Sequence, residues 1–121
     1  MPTPALDRDA LIELLDGNPQ LIITIVDSFL GDCTDYMEAI RGAVEAENAQ
    51  ALEQKAHGLK GAAGSLRADP TRQAAETLEE MARAEEFSEA EAALESLEDE
   101  VERLRSALRA LKASCEDELD R

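Results

Sequence analysis

Apolar side chains recur at steps of three and four residues along most of this 121-residue chain. Such steps keep the side chains on one face of an α-helix, whereas a half-buried strand requires a step of two. The two longest stripes are Ile22, Ile25, Val26, Phe29, Cys33, Met37, Ile40 and Val44, and Leu94, Leu97, Val101, Leu104, Leu108 and Leu111. Alanine, leucine and glutamate, which all favour helices, dominate the composition. The sequence therefore predicts an all-α fold.

Capping residues predict where the helices begin. Asparagine or aspartate is a favoured N-cap, and proline is favoured in the first turn that follows. The predicted starts, in chain order, are Asp7, Asn18-Pro19, Asn48, Asp69-Pro70 and a capping box at Ser88. The first helix is short and is stopped by Gly17, the third is expected to end near Ala68, and the fifth near Lys112.

Short connections between these helices favour antiparallel neighbours. We therefore predict one domain over residues 1–121, an up-down-up-down four-helix bundle with a short N-terminal cap helix. Residues 1–6 are expected to form an arm, and residues 114–121 a frayed tail. The stripe from 94 to 111 could also form a coiled-coil seam between two copies, but packing within its own bundle is favoured.

The chain is strongly acidic, with 28 acidic and 12 basic residues and a net charge of −16. This charge disfavours nucleic acid and anionic membranes as partners, and it favours a monomer.

The two cysteines fit no metal or redox motif, and Cys33 lies on an apolar stripe. Both Cys33 and Cys115 are therefore expected to be free thiols of a reducing compartment. With no signal peptide or membrane span, the expected location is the cytoplasm.

The segment from Ala56 to Ser65 contains the single histidine of the chain, His57. On a helix, one face carries His57 together with Lys60, Gly61 and Gly64. The opposite face is an apolar stripe, which consists of Leu52, Ala56, Leu59, Ala63 and Leu66. Glycine inside a helix costs about 0.5–1 kcal/mol relative to alanine, so glycines at 58, 61 and 64 require a reason. Access of a bulky partner to the imidazole is the simplest one.

An accessible imidazole beside a cation suits the acceptance of a phosphoryl group better than proton abstraction in a pocket. A zinc or similar site would need more histidines or clustered cysteines, so no metal site is predicted. No glycine-rich loop follows a strand, which disfavours a nucleotide cradle.

The string Ala56-His57-Gly58-Leu59-Lys60-Gly61 resembles the Ala-His-x-Leu-Lys-Gly signature of histidine-containing phosphotransfer (HPt) domains. The resemblance implies a four-helix bundle that shuttles phosphoryl groups between aspartates of response-regulator receiver domains, with a hybrid histidine kinase as a further partner. It implies a phosphocarrier rather than a turnover enzyme. No cofactor is expected on this chain, because the receiver would supply the divalent metal.

The resemblance also assigns roles to single residues. His57 would be the phospho-acceptor and Lys60 would contact the phosphoryl oxygens. Gly61 and Gly64, together with Gly58, would let the receiver close over the ring. Glu79 is the best match to a residue that orients the imidazole, with Glu76 second. Glu79 or Glu53 would hold one ring nitrogen while the other, expected to be Nε2, attacks.

Arg67 departs from the family pattern, which usually has glycine at that position. It could weaken receiver docking on that flank, or it could supply a second cation near the phosphoryl group. Two alternatives to the phosphocarrier remain: a helical module that binds a receiver or kinase without transfer, and a structural bundle that self-associates through the 94–111 seam.

Overall fold

The computed structural model describes residues 3–121 and contains, over that range, five α-helices and no strand. The helices are α1 Arg8–Leu14, α2 Pro19–Glu45, α3 Ala49–Ser65, α4 Asp69–Arg83 and α5 Ala90–Leu119. The all-α prediction is confirmed. Residues 1 and 2 of the predicted arm lie outside the described residues.

The four longer helices contact one another in a closed ring. α2 packs against α3 and α5, and α4 packs against the same two helices. Asp27 pairs with Lys112 and Arg41 pairs with Glu98, so α2 and α5 run in opposite directions. These contacts agree with the predicted four-helix bundle, whose complete up-down-up-down order stays a prediction.

The apolar stripes read from the sequence form the core. Val26, Cys33 and Ile40 of α2 are fully buried, and so are Leu97, Leu104 and Leu108 of α5. The α5 stripe is therefore covered by the chain's own helices, as favoured over a coiled-coil seam between two copies. Both cysteines are free and buried.

Three of the five predicted caps are present. The side chains of Asp7, Asn18 and Asn48 each accept a hydrogen bond from the backbone N–H three residues on. These bonds satisfy N–H groups that the first turn of a helix leaves without a partner.

The other two predicted caps are wrong. Asp69 lies inside the first turn of α4, where its carboxylate accepts hydrogen bonds from Arg72 and Gln73, and the N-cap is Ala68. Ser88 does not cap α5 either: the N–H of Ala90 donates to the carbonyl of Phe87, and this turn delays the helix until Ala90.

The predicted frayed tail is also wrong, because α5 continues to Leu119. Cys115 extends the apolar stripe by one turn and is buried, and Ser114 accepts a hydrogen bond from Arg8 at the start of α1. In the arm, Ala5 and Leu6 are buried, and the Asp7 N–H donates to the carbonyl of Arg67. Both ends of the described chain thus pack on the helices.

None of the described helices combines the length and the apolar character needed to cross a bilayer.

Candidate functional site

The helical phase of α3 determines where His57 points. Leu52, Ala56, Leu59 and Ala63 are fully buried on one face of α3. The His57 side chain lies on another face and keeps 66% of its surface exposed. The predicted separation of α3 into a core face and an accessible face is confirmed.

A buried carboxylate from α4 lies beneath the histidine. The Glu79 side chain is 1% exposed, and its Oε2 lies 2.6 Å from His57 Nδ1. Lys60 Nζ donates to the other oxygen, Oε1, at 2.6 Å. Arg83, one turn further along α4, donates to Oε2 at 3.0 Å. The structure therefore brings His57, Lys60 and Glu79 together and adds Arg83 to them.

The charge state of Glu79 decides which ring nitrogen carries the proton. Burial raises the pKa of Glu79, but hydrogen bonds from Lys60 and His57 and the charges of Lys60 and Arg83 lower it, and the net pKa lies below its ordinary value. An ionised carboxylate only accepts hydrogen bonds. His57 Nδ1–H therefore donates to Glu79, and in the neutral ring Nε2 carries a lone pair.

Lys60 lies near the imidazole with a carboxylate partner that the sequence analysis did not assign to it. Its side chain is 25% exposed and is held by Glu79. Because Glu79 comes from another helix, the spacing along α3 could not reveal this partner.

The three glycines of α3 have different surroundings. A Cβ on Gly58 would lie 2.6 Å from Tyr36 Cε1, so Gly58 admits the ring of Tyr36 from α2 rather than an external partner. A Cβ on Gly64 would make an ordinary contact of 3.5 Å with Arg72, and one on Gly61 would meet nothing within 4 Å. Packing of Tyr36 thus supplies a reason for Gly58 that the sequence did not predict, and Gly61 borders open space, while the docking role of the three glycines stays a prediction.

Arg67 lies outside the cluster, at the C-terminal end of α3. Its φ is +64°, and its N–H donates to Gly64 O while the Ala68 N–H donates to Ala63 O. This is a Schellman motif, whose left-handed residue is usually glycine because a side chain costs free energy there. In the structure the Arg67 guanidinium donates to the Gly64 carbonyl, at 3.5 Å, and its effect on receiver docking stays a prediction.

The two other candidate carboxylates do not contact the ring. Glu76 pairs with Arg72 at 3.0 Å, and Glu53 pairs with Arg83 at 3.3 Å. Over residues 3–121 no group of three or more histidine, cysteine or acidic side chains is placed to hold a metal ion.

Comparison with known proteins supports the same resemblance. The family model of the Hpt domain matches residues 24–107. The chain belongs to the histidine phosphotransfer (Hpt) domain family. Among solved structures, this Hpt domain is similar to histidine-containing phosphotransfer protein B (HptB) from Pseudomonas aeruginosa PAO1, with 27% identity and a TM-score of 0.86 over 93% of this chain and 98% of that one. The comparison with curated proteins gave no significant match.

Two residues around the histidine of this Hpt domain escaped the sequence reading. Arg83 could have been found, since it lies four residues after Glu79 and side chains at this spacing meet on a helix. Tyr36 could not, because its contact with Gly58 depends on how closely α2 approaches α3.

Proposed function

We propose that this Hpt domain is a phosphocarrier of a two-component phosphorelay, and that His57 accepts and donates the phosphoryl group. Its partners would be response-regulator receiver domains, whose phospho-aspartate is the donor or the product, and a hybrid histidine kinase that carries such a receiver. The receiver would bring the divalent metal, and the cytoplasm is the compartment that holds these partners.

One observation carries the proposal. An exposed imidazole donates from Nδ1 to a buried, ionised Glu79 at 2.6 Å, which leaves the lone pair on Nε2. A surface histidine with no function does not require a buried carboxylate from a second helix. An enzyme that abstracts protons would instead enclose its histidine in a pocket together with the substrate.

The transfer step follows from this geometry. The Nε2 lone pair forms a bond to the phosphorus of the receiver phospho-aspartate as the bond from phosphorus to the aspartate oxygen breaks. The aspartate leaves as a carboxylate with the bonding electrons. Nδ1 keeps its proton throughout, so the ring becomes a phospho-imidazolium cation next to the negative charge of Glu79. Positioning and charge neutralisation are the main requirements of such a transfer.

A phosphotransfer assay tests the proposal. The protein is incubated with a receiver that carries labelled phosphate, and the label is then followed on both proteins. Wild-type protein should acquire label that is lost in acid and kept in base, as expected of phosphohistidine rather than phospho-aspartate. His57→Gln should acquire none.

Two outcomes would contradict the proposal. Label retained in His57→Gln would mean that another residue accepts the group. A stable complex of wild-type protein and receiver without label would identify a binding module that does not transfer.

Lys60→Ala should slow the transfer while the helices stay folded. A large loss of thermal stability in this variant would mean that Lys60 has a structural role instead.

A further inference from the structure

Lys60 faces two negative groups once His57 is phosphorylated. In the structure its ammonium donates to Glu79 Oε1 at 2.6 Å. The phosphoryl group on the adjacent His57 brings further negative oxygens to the same face of α3. When the Lys60 ammonium interacts with those oxygens, it stabilises the negative charge of Glu79 less. The Glu79 side chain is only 1% exposed, so water cannot replace the lysine. The phospho-imidazolium ring still donates from Nδ1 to Glu79, but a buried carboxylate that loses part of its cationic surroundings is destabilised, so Glu79 benefits from a second cationic side chain.

Arg83 is placed to be that partner. Its guanidinium donates to Glu79 Oε2 at 3.0 Å, whereas Lys60 occupies Oε1. The two cations therefore do not compete for one oxygen. Arg83 is 55% exposed and is also held by Glu53 on α3, at 3.3 Å from its Nε, so its guanidinium lies at the rim of the cluster.

We propose that Arg83 is a positioning residue that retains Glu79 as an oriented anion while Lys60 engages the phosphoryl group on His57. This inference rests on the proposed phosphocarrier function. It assigns the two cations different roles: Lys60 stabilises the phosphoryl group on His57, and Arg83 stabilises the Glu79 carboxylate. Arg83 should therefore contribute more to the stability of the phosphorylated protein than to that of the unphosphorylated protein.

The equilibrium partition of the phosphoryl group between His57 and a receiver aspartate measures this difference. In Arg83→Gln the share on His57 should fall about fivefold, the size expected for a half-exposed cation acting on a buried carboxylate. Arg83→Lys should retain most of the wild-type share because it keeps the charge. Arg41→Gln is the matched control, since it removes an arginine of similar exposure from an ion pair between α2 and α5 and should leave the partition unchanged.

A double-mutant cycle separates this role from general stabilisation. In a Lys60→Met background no lysine is drawn away from Glu79 on phosphorylation, so adding Arg83→Gln should change the partition less than about twofold. An equal effect in both backgrounds, or no effect in the wild-type background, would overturn the proposal. Wild-type protein that accepts no phosphoryl group would overturn the phosphocarrier function and this inference together.

Discussion

At the scale of single residues, the proposed phosphotransfer depends on a proton on the ring nitrogen of His57 that does not react. Nδ1 of His57 keeps that proton because Glu79, 22 positions later in the chain, remains ionised beneath it. Lys60 and Arg83 keep Glu79 ionised. In the proposed mechanism, the reactivity of the exposed His57 is thus determined by the buried Glu79.

Glu79→Gln should slow phosphotransfer without abolishing it. An amide can accept from Nδ1–H or, after a flip, donate to Nδ1, and it carries no charge to stabilise the imidazolium. Loss of such an orienting partner typically reduces activity about 10- to 100-fold. Nitrogen NMR of His57 should show more of the Nε2–H tautomer than in wild type. An unchanged tautomer ratio with unchanged rates would remove Glu79 from the mechanism.

The same substitution should reveal a pH dependence of stability. The folded-state pKa of Glu79 lies below its ordinary value, so the stability that its ionised form contributes is complete above about pH 4.5 and is lost as the pH falls through the folded pKa. The free energy of unfolding of wild type minus that of Glu79→Gln should be constant from pH 7 to about pH 5 and shrink below that. Urea titrations at several pH values measure it, and a difference that grows in acid would contradict the assignment.

At the scale of elements, α3 combines glycines that serve different purposes. Gly58 admits Tyr36, whereas the position of a Cβ on Gly61 is empty. Gly61→Ala should therefore raise the free energy of unfolding by about 0.5–1 kcal/mol, the difference in helix propensity. The same change should slow transfer from a receiver, because the methyl group lies beside His57 on the accessible face.

Gly58→Ala is the matched comparison. Its methyl group would collide with the Tyr36 ring, so the gain in helix propensity should be cancelled by displaced packing. Urea unfolding of the two variants side by side tests this difference. Equal stabilisation by both alanines would show that the contact with Tyr36 does not constrain α3.

Four helix ends share one strained feature. Asp16, Glu47, Arg67 and Glu85 all have positive φ at the ends of α1 to α4, where glycine is usual. Glu47→Gly should raise the free energy of unfolding by about 0.5–1 kcal/mol, since the left-handed cost of a side chain exceeds the extra entropy of glycine in the unfolded chain. Glu47→Ala removes the same charge but keeps the Cβ, so it should give no such gain in denaturant unfolding.

Spacing and capping residues along one helix predicted the buried faces and most helix starts, although not the starts of α4 and α5. Contacts between helices could not be predicted from spacing, and Glu79 was expected beside His57 only through the family resemblance. The stripe spacing predicted the buried faces, and the asparagines at 18 and 48 predicted two helix starts. The partner of Lys60 and the contact of Gly58 depend on packing between helices. The predicted end of α5 near Lys112 is too early because Cys115, which lies among polar residues, continues the leucine stripe by one turn.

At the scale of the whole molecule, the net charge of −16 should make the fold sensitive to salt. The Debye length falls from about 30 Å at 0.01 M to about 3 Å at 1 M salt, so added salt screens the repulsion among the acidic side chains. The thermal midpoint should rise with sodium chloride at pH 7, and much less near the pH at which the charges balance. A midpoint that falls with salt would mean that the ion pairs outweigh the repulsion.

The contact between His57 of α3 and Glu79 of α4 exists only in the assembled domain, so the proton on Nδ1 that the proposed transfer requires is held there only after α4 has docked on α3. A nascent or damaged chain in which α4 has not docked on α3 still has the histidine, but its ring is free to carry the proton on either nitrogen. Such a chain should be a poor acceptor even where a receiver can reach it. Signalling would then be restricted to intact molecules, and the phosphorylation site would itself act as a check on folding.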